Sequence, residues 1–358
     1  MTAHEIIDAD CHVWEPASIW NDYLEPEFGS HSITTALRLD GEAIYNKISD
    51  KVASAGPSIL DRSHAAYGIT AWDAPSTVKA LRILGADFAF LYPSVGGFLF
   101  AVDSMDAALA GAFIRAYNNW LRDFVAYDPQ VLRGVGAINR HAPDEMVPEL
   151  RRIAGFGWRA VVMRPNPIKG RLLSDPAYEP FWSACEELNI AVGIHEGTHA
   201  RVPSAGADRF DSRFAMHACS HPMEQMMALL ALIEGGVLER HPRLRFAFLE
   251  AGGGWVPYWL WRLDREYHDL EWEVRGNVTM KPSEYFRRQC FVAIEPTEAY
   301  LAPLMDFIGA DNILIGSDFP HMDHDPNVMK DAMALKGTIS DATVEKLLCH
   351  NPKRFYGL

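Results

Sequence analysis

Eight short apolar runs, at 6–9, 88–92, 131–138, 160–163, 190–194, 244–249, 291–294 and 313–315, alternate with helical patterns along most of this chain. Each run is too uniformly apolar for a half-exposed strand and reads as one buried on both faces. Strand and helix in alternation favour a parallel sheet, and eight repeats favour its closure into a (β/α)8 TIM barrel, an α/β fold. The helical patterns fall at 76–84, 105–125, 145–153, 177–188, 223–238 and 297–308. Pro143, Pro176 and Pro222 stand where helices would begin, and Gly85, Gly155 and Gly309 where they would stop.

Two connections break the rhythm, 13–71 after the first strand and 197–220 after the fifth. Both leave the C-terminal ends of strands, so they are expected to cover the barrel mouth as a cap and a lid loop. The first is rich in aromatics (Trp14, Trp20, Tyr23, Phe28, Tyr45, Tyr67 and Trp72) and is expected to form a small cap with an apolar surface of its own. No linker, repeat or low-complexity tract interrupts residues 1–358, so one domain with insertions is the economical reading.

Charge removes some functions. With 47 acidic and 33 basic residues the net charge is -14, which leaves no basic face for nucleic acid or an anionic membrane. Five widely spaced cysteines without a Cys-x-x-Cys pair fit a reducing compartment. The start of the chain lacks a basic, apolar leader, and no apolar run approaches membrane-spanning length. The expectation is a cytoplasmic protein acting on a small molecule, with self-association left open.

Chemistry gathers at strand ends. Asp10 and His12 are two apart on the first strand, so both side chains project into the barrel while Cys11 faces the helices. His195 ends the fifth strand, Glu250 the sixth, and Asp318 the eighth, with His321 three residues beyond. Two imidazoles and three carboxylates without a thiolate suit zinc, iron or manganese in a working site, not a structural zinc. Asp318 could instead be an ordinary helix cap, although His321 beside it adds a polar group that a plain cap would not need. His195-Glu196-Gly197-Thr198-His199 matches the helical H-E-x-x-H pattern but follows a strand, so the protease reading lacks its context. Gly252-Gly253-Gly254 lacks the spacing and the lysine of a phosphate loop. Glu295 is placed like Glu250 and could support it. His199, His217 and His221 lie in or beside the second long connection, and Phe214, Trp255 and Trp259 are candidates to line the substrate cavity.

From Ile6-Ile7-Asp8-Ala9-Asp10-Cys11-His12, through Ile315-Gly316-Ser317-Asp318-Phe319-Pro320-His321, to Asn351-Pro352-Lys353-Arg354-Phe355-Tyr356-Gly357-Leu358, the chain resembles the amidohydrolase superfamily. The branch it is similar to includes aminocarboxymuconate-semialdehyde and γ-resorcylate decarboxylases. The resemblance implies a (β/α)8 barrel with metal held by Asp10, His12, His195 and Asp318. Many relatives carry His-x-His on the first strand, where this chain has Asp10-x-His12. The sixth strand of relatives usually ends in a histidine, where Glu250 stands here. In this respect the chain resembles the diiron monooxygenase of platensimycin and platencin biosynthesis.

Three activities follow as expectations. The first is an oxygenase in which two irons, bridged by carboxylates with Glu250, Asp318 and His321 acting, use O2 to hydroxylate a bulky apolar substrate, terpenoid or acyl. The second is a hydrolase of an amide, ester or lactone, in which zinc or manganese acidifies water and Asp318 takes its proton. The third is non-oxidative decarboxylation of an aromatic acid, with Arg164 at the end of the fourth strand as carboxylate clamp and Trp255 lining the site. A barrel that merely binds a ligand would have no need of Asp10, His12, His195 and Asp318 together.

Overall fold

A computed structural model describes residues 5–16, 18–31, 38–39, 42–43, 59–196, 204–210, 212–321 and 324–358. All eight apolar runs form strands in it: β1 Ile7–His12, β2 Phe88–Tyr92, β3 in two pieces (Leu132–Gly134 and Gly136–Ala137), β4 Ala160–Met163, β5 Ala191–His195, β6 Phe246–Leu249, β7 Cys290–Ile294 and β8 Ile313–Ile315. Every pairing between these strands is parallel, with β1, β2 and the first piece of β3 in one sheet and the second piece through β8 in the other. The amide of Val135, between the pieces of β3, donates to the Leu91 carbonyl at 3.3 Å and keeps that strand against β2. The ring closes beyond β8, where the Asp318 amide donates to the Asp10 carbonyl (2.9 Å) and the His12 amide to the Phe319 carbonyl (2.7 Å). The architecture is a (β/α)8 barrel.

Helices follow the first seven strands: α1 Ala74–Leu84, α2 Ala107–Val125, α3 Pro143–Gly155, α4 Glu179–Glu187, α5 Arg213–Glu234, α6 Trp255–Val274 and α7 Leu301–Ile308. Their starts obey capping chemistry: the Asp73 carboxylate accepts the Ser76 amide ahead of α1, and Asp106 accepts the Ala108 and Leu109 amides ahead of α2. Gly85 ends α1 in the left-handed conformation that a side chain would resist. Inside the barrel the C-terminal residues supply a plug, with the Tyr356 hydroxyl donating to the Ala9 carbonyl (2.7 Å) and accepting from Tyr92 (2.9 Å). Gly316 permits the last closure, because a Cβ there would lie 2.3 Å from the Cβ of Asp10.

Two expectations change. The connection after β5 is not a loop throughout 197–220, because α5 already begins at Arg213, capped by the Ser212 hydroxyl. Pro222, expected at a helix start, lies inside α5. Proline in a helix interior costs roughly 3 kcal/mol. That cost is offset by burial of Ala228, Leu229 and Leu232 and by two hydrogen bonds from Gln225 described below. The connection after β1 contains a helix, Ile59–Tyr67, and a short antiparallel pair, Arg38–Leu39 with Glu42–Ala43. Among the described residues its aromatics pack on one another and on the barrel: Trp14 against Trp72, Trp20 edge-on against Phe113 of α2, and Tyr67 and Trp72 against Phe319 beyond β8. Tyr45 lies outside the described residues. No helix among the described residues is long and apolar enough to cross a membrane, and the five cysteines are free, without a disulfide.

Candidate metal centre

The closing bonds between β1 and the turn after β8 bring Asp10, His12 and Asp318 to one point. Neighbouring strand ends add His195 from β5 and Glu250 from β6. His12 Nε2 lies 3.6 Å from Asp10 Oδ1 and 3.2 Å from Asp318 Oδ1. His195 Nε2 lies 3.5 Å from Asp10 Oδ1 and 3.4 Å from Glu250 Oε2. Glu250 and Asp318 hold their carboxylates there from left-handed backbone, at φ 52° and 53°. Such conformations cost non-glycine residues of order 1 kcal/mol or more and gather at functional sites.

The two imidazoles face each other. His12 Nδ1 donates to the Pro93 carbonyl (3.1 Å) and His195 Nδ1 to the Glu196 carbonyl (2.8 Å). Carbonyls only accept, so each Nδ1 carries the proton, and a neutral ring then presents a lone pair at Nε2. The two Nε2 atoms are 3.1 Å apart. Two nitrogens that close need a positive charge between them, a proton or a metal ion, and Asp10 Oδ1 is buried in the same place without a hydrogen-bond partner. Bonds of 2.0–2.2 Å to a tetrahedral ion would separate donors by about 3.4 Å, close to the spacing found. The residues therefore fit a divalent metal. Burial, with the neighbouring His321 and His195, brings the His12 pKa down to about 4 and keeps it a neutral donor. Burial opposes charge on His195 too, but Asp10, Glu250 and Asp318 outweigh it and raise its pKa.

A proton-bearing pair stands beside this cluster. His321 Nδ1 is 2.6 Å from Asp318 Oδ1, and His321 Nε2 is 2.8 Å from the Ser94 hydroxyl. The single Ser94 proton goes to the Val13 carbonyl at 2.7 Å, so Ser94 accepts from His321 Nε2. His321 then carries a proton on Nε2, and the short contact to Asp318 requires a second on Nδ1. Burial works against charge on Asp318, yet His321 beside it holds its carboxyl well below the usual range. The pair is an imidazolium and a carboxylate. Glu15 fixes the loop that carries Ser94 by accepting the amides of Ser94 (3.1 Å), Val95 (2.9 Å) and Gly96 (3.2 Å).

A cavity of about 370 Å³ opens onto Asp10, Glu250 and Asp318. Its described lining includes seven Asp or Glu residues together with His217 and His221, and no Lys or Arg. Glu295 lies on this lining. Arg164 and Trp255 do not: the Arg164 guanidinium meets Glu196 at 3.0 Å, both buried, and Trp255 packs against Phe248. Trp259 bonds the Met226 carbonyl (2.9 Å), and Phe214 is exposed at the surface. Gly253 donates its amide to the Glu298 carboxylate (2.9 and 3.1 Å), so an internal anion occupies the glycine tract. His195 sits on a strand, without the helix that the protease pattern requires, and His199 lies outside the described residues. Asp318 caps no helix.

Sequence reasoning missed Ser94 and Gln225. Gln225 of α5 donates to the carbonyls of Ile194 (2.9 Å) and Leu249 (3.0 Å), each one residue before a site side chain. Nothing local marks either residue, since their partners lie 31 and 24 positions away for Gln225 and 227 for Ser94 and His321.

Comparison with known proteins agrees with the geometry. The family model described as Amidohydrolase matches residues 7–358. The chain is 27% identical over 244 residues to a 2-amino-3-carboxymuconate-6-semialdehyde decarboxylase of Dictyostelium discoideum, covering 67% of this chain and 65% of that protein. It is 24% identical over 268 residues to a γ-resorcylate decarboxylase of Polaromonas sp., covering 71% and 78%. Among solved structures, an amidohydrolase from Mycobacterium avium subsp. paratuberculosis superposes with a TM-score of 0.79 at 19% identity, over 100% of both chains. A dihydroxybenzoic acid decarboxylase from Polaromonas sp., with bound manganese and the inhibitor 2-nitroresorcinol, gives 0.70 at 18%, over 99% and 98%. At such identity the superpositions establish the fold alone. The chain belongs to the amidohydrolase family and is a metal-dependent enzyme of that superfamily.

Proposed function

We propose that this protein is a divalent-metal-dependent, non-oxidative decarboxylase of a small aromatic or unsaturated acid. The observation that carries the reading is the protonated Asp318–His321 pair beside the cation site. Decarboxylation breaks a C–C bond, releases CO2 and leaves an electron pair on carbon that must take up one proton. The pair supplies it: His321 passes its Nδ1 proton to Asp318, and Asp318 delivers it to the vacated carbon. Asp10, His12, His195 and Asp318 would hold the metal, which withdraws electron density from a substrate oxygen and so stabilises the charge left on carbon. Ser94 keeps His321 turned toward Asp318, and the aromatic residues beyond β1 help exclude water.

The decarboxylase names of two relatives and the manganese in a structural neighbour support this reading. None of the relatives named above is an oxygenase, and nothing in them favours two irons. The clamp role of Arg164 loses ground, because Glu196 engages its guanidinium. One observation favours a second reading, hydrolysis of a neutral amide, ester or lactone: the described lining of the cavity is dominated by carboxylates and holds no Lys or Arg. The two are separated by turnover of Mn2+-loaded enzyme in 2H2O, without oxygen, on hydroxy- and amino-substituted aromatic acids. Decarboxylation predicts CO2 release with one deuterium at the vacated carbon. Turnover confined to neutral esters or amides, or dependent on O2, would overturn it.

A further inference from the structure

We infer that Tyr67 and His324 are positioning residues for Asp318, through which the segment after β1 sets the geometry of the metal centre, a role resting on the part given to Asp318 in the decarboxylase reading above. Asp318 stands in left-handed backbone (φ 53°), which persists in a non-glycine residue only when its surroundings over-determine it. The turn 317–319 meets that requirement group by group. The Ser317 amide donates to Asp8 Oδ1 (2.9 Å), the Asp318 amide to the Asp10 carbonyl (2.9 Å) and the Phe319 amide to the Ser317 hydroxyl (3.1 Å). The Asp318 carbonyl accepts the His321 amide (2.9 Å), and the Phe319 carbonyl the His12 amide (2.7 Å). The sixth backbone group, the Ser317 carbonyl, is held by His324 Nδ1 at 2.6 Å, from farther along the chain.

The segment after β1 aims that ring. A carbonyl only accepts, so His324 carries its proton on Nδ1, and the neutral ring accepts at Nε2 from the Tyr67 hydroxyl. Burial keeps the ring neutral by lowering its pKa. Tyr67 is the last residue of the helix Ile59–Tyr67 and is itself buried. Its ring stands edge-on to Phe319, with centroids 5.3 Å apart, and the next residue, Gly68, offers its carbonyl to the Lys79 ammonium of α1 at 2.7 Å. The hydroxyl is thus placed from two sides, by α1 and by the turn it supports. A chain of two hydrogen bonds, Tyr67 to His324 and His324 to Ser317, runs to the residue before Asp318. Without the hydroxyl, nothing else among the described residues engages Nε2, the imidazole can rotate, and the turn loses its sixth bond.

The test measures the Mn2+ affinity of the full chain by chelator competition, with the metal alone, beside kcat and KM at saturating Mn2+. Tyr67→Phe keeps the ring on Phe319 and removes only the hydroxyl. It is expected to weaken Mn2+ binding about tenfold, the low end for partners of a metal ligand, and to lower kcat by a similar factor with KM unchanged. His324→Leu should lose at least as much, and the Tyr67→Phe/His324→Leu variant no more than His324→Leu alone, because the two residues act in series. His324→Asn keeps an N–H donor toward Ser317 and should restore most of the affinity that His324→Leu loses. Should His324→Leu fail to fold, Tyr67→Phe against wild type decides. Wild-type affinity in Tyr67→Phe, losses that add in the double variant, or a lowered Tm with affinity and kcat intact would overturn the proposal and spare the proposed reaction. The expected affinity pattern without any decarboxylation would overturn the reaction and spare the positioning role, and no Mn2+ bound by wild type would overturn both.

Discussion

The two ends of the barrel handle polar groups in opposite ways. At the end where strands begin, amide side chains satisfy backbone carbonyls. Asn312 donates to Phe286 (3.3 Å), Arg287 (3.0 Å) and Cys290 (2.6 Å), Gln289 to His241 (2.8 Å) and Leu244 (2.9 Å), and Asn351 to Ala310 (2.7 Å) and Ile313 (2.8 Å). These groups are neutral and paired. At the end where strands finish, Asp10, Glu250 and Asp318 crowd two imidazoles whose Nε2 atoms face each other at 3.1 Å. One end is built for stability and the other for binding charge, as the layout of such barrels leads one to expect.

The contrast can be broken by substitution. The largest effect is expected from His12→Ala, which removes a donor shared by two groups of potential ligands. Its metal affinity should fall by more than the roughly 10–100-fold typical of outer positions, read by chelator competition. His321→Gln should come next, lowering kcat by about 10²–10⁴-fold, the range of a lost proton donor. Its metal content should stay unchanged, which separates proton delivery from metal holding. At the opposite end, Asn312→Ala removes two N–H donors shared among three carbonyls and should cost about 1–3 kcal/mol of stability. Its kcat/KM, corrected for folded fraction, should match wild type. The smallest effect sharpens the contrast by changing sign. Glu250→Gln removes one of several crowded carboxylates, so it should raise the Tm of metal-free protein and lower that of metal-loaded protein. A Tm that falls by the same amount in both would mean that the mouth is not under electrostatic strain.

Much of this was legible before the structure. Strands buried on both faces declare themselves by uniform apolar runs, so all eight appear near their expected positions. His195 and Glu250 are legible because each follows an apolar run that stops abruptly, Asp10 and His12 because alternate positions of one strand share a face, and Asp318 because a buried strand turns just before it. The start of α5 was not legible, since Pro222 suggested a boundary that burial and Gln225 override. The spacing of His217 and His221, four apart in a stretch of good helix formers, was the available signal. Arg164 stands at a strand end as the sequence suggests, and its partner Glu196, set by the path of the next strand, was not legible. Trp255 packs on Phe248, two positions before Glu250.

The central claim is that Asp10, His12, His195 and Asp318 surround a divalent ion. Anomalous diffraction at the manganese edge, from crystals of Mn2+-loaded protein, tests it most directly. The account predicts a peak within about 2.0–2.3 Å of His12 Nε2 and His195 Nε2, with an Asp10 oxygen at similar range. Manganese found only elsewhere, with the two Nε2 atoms turned apart, would contradict it.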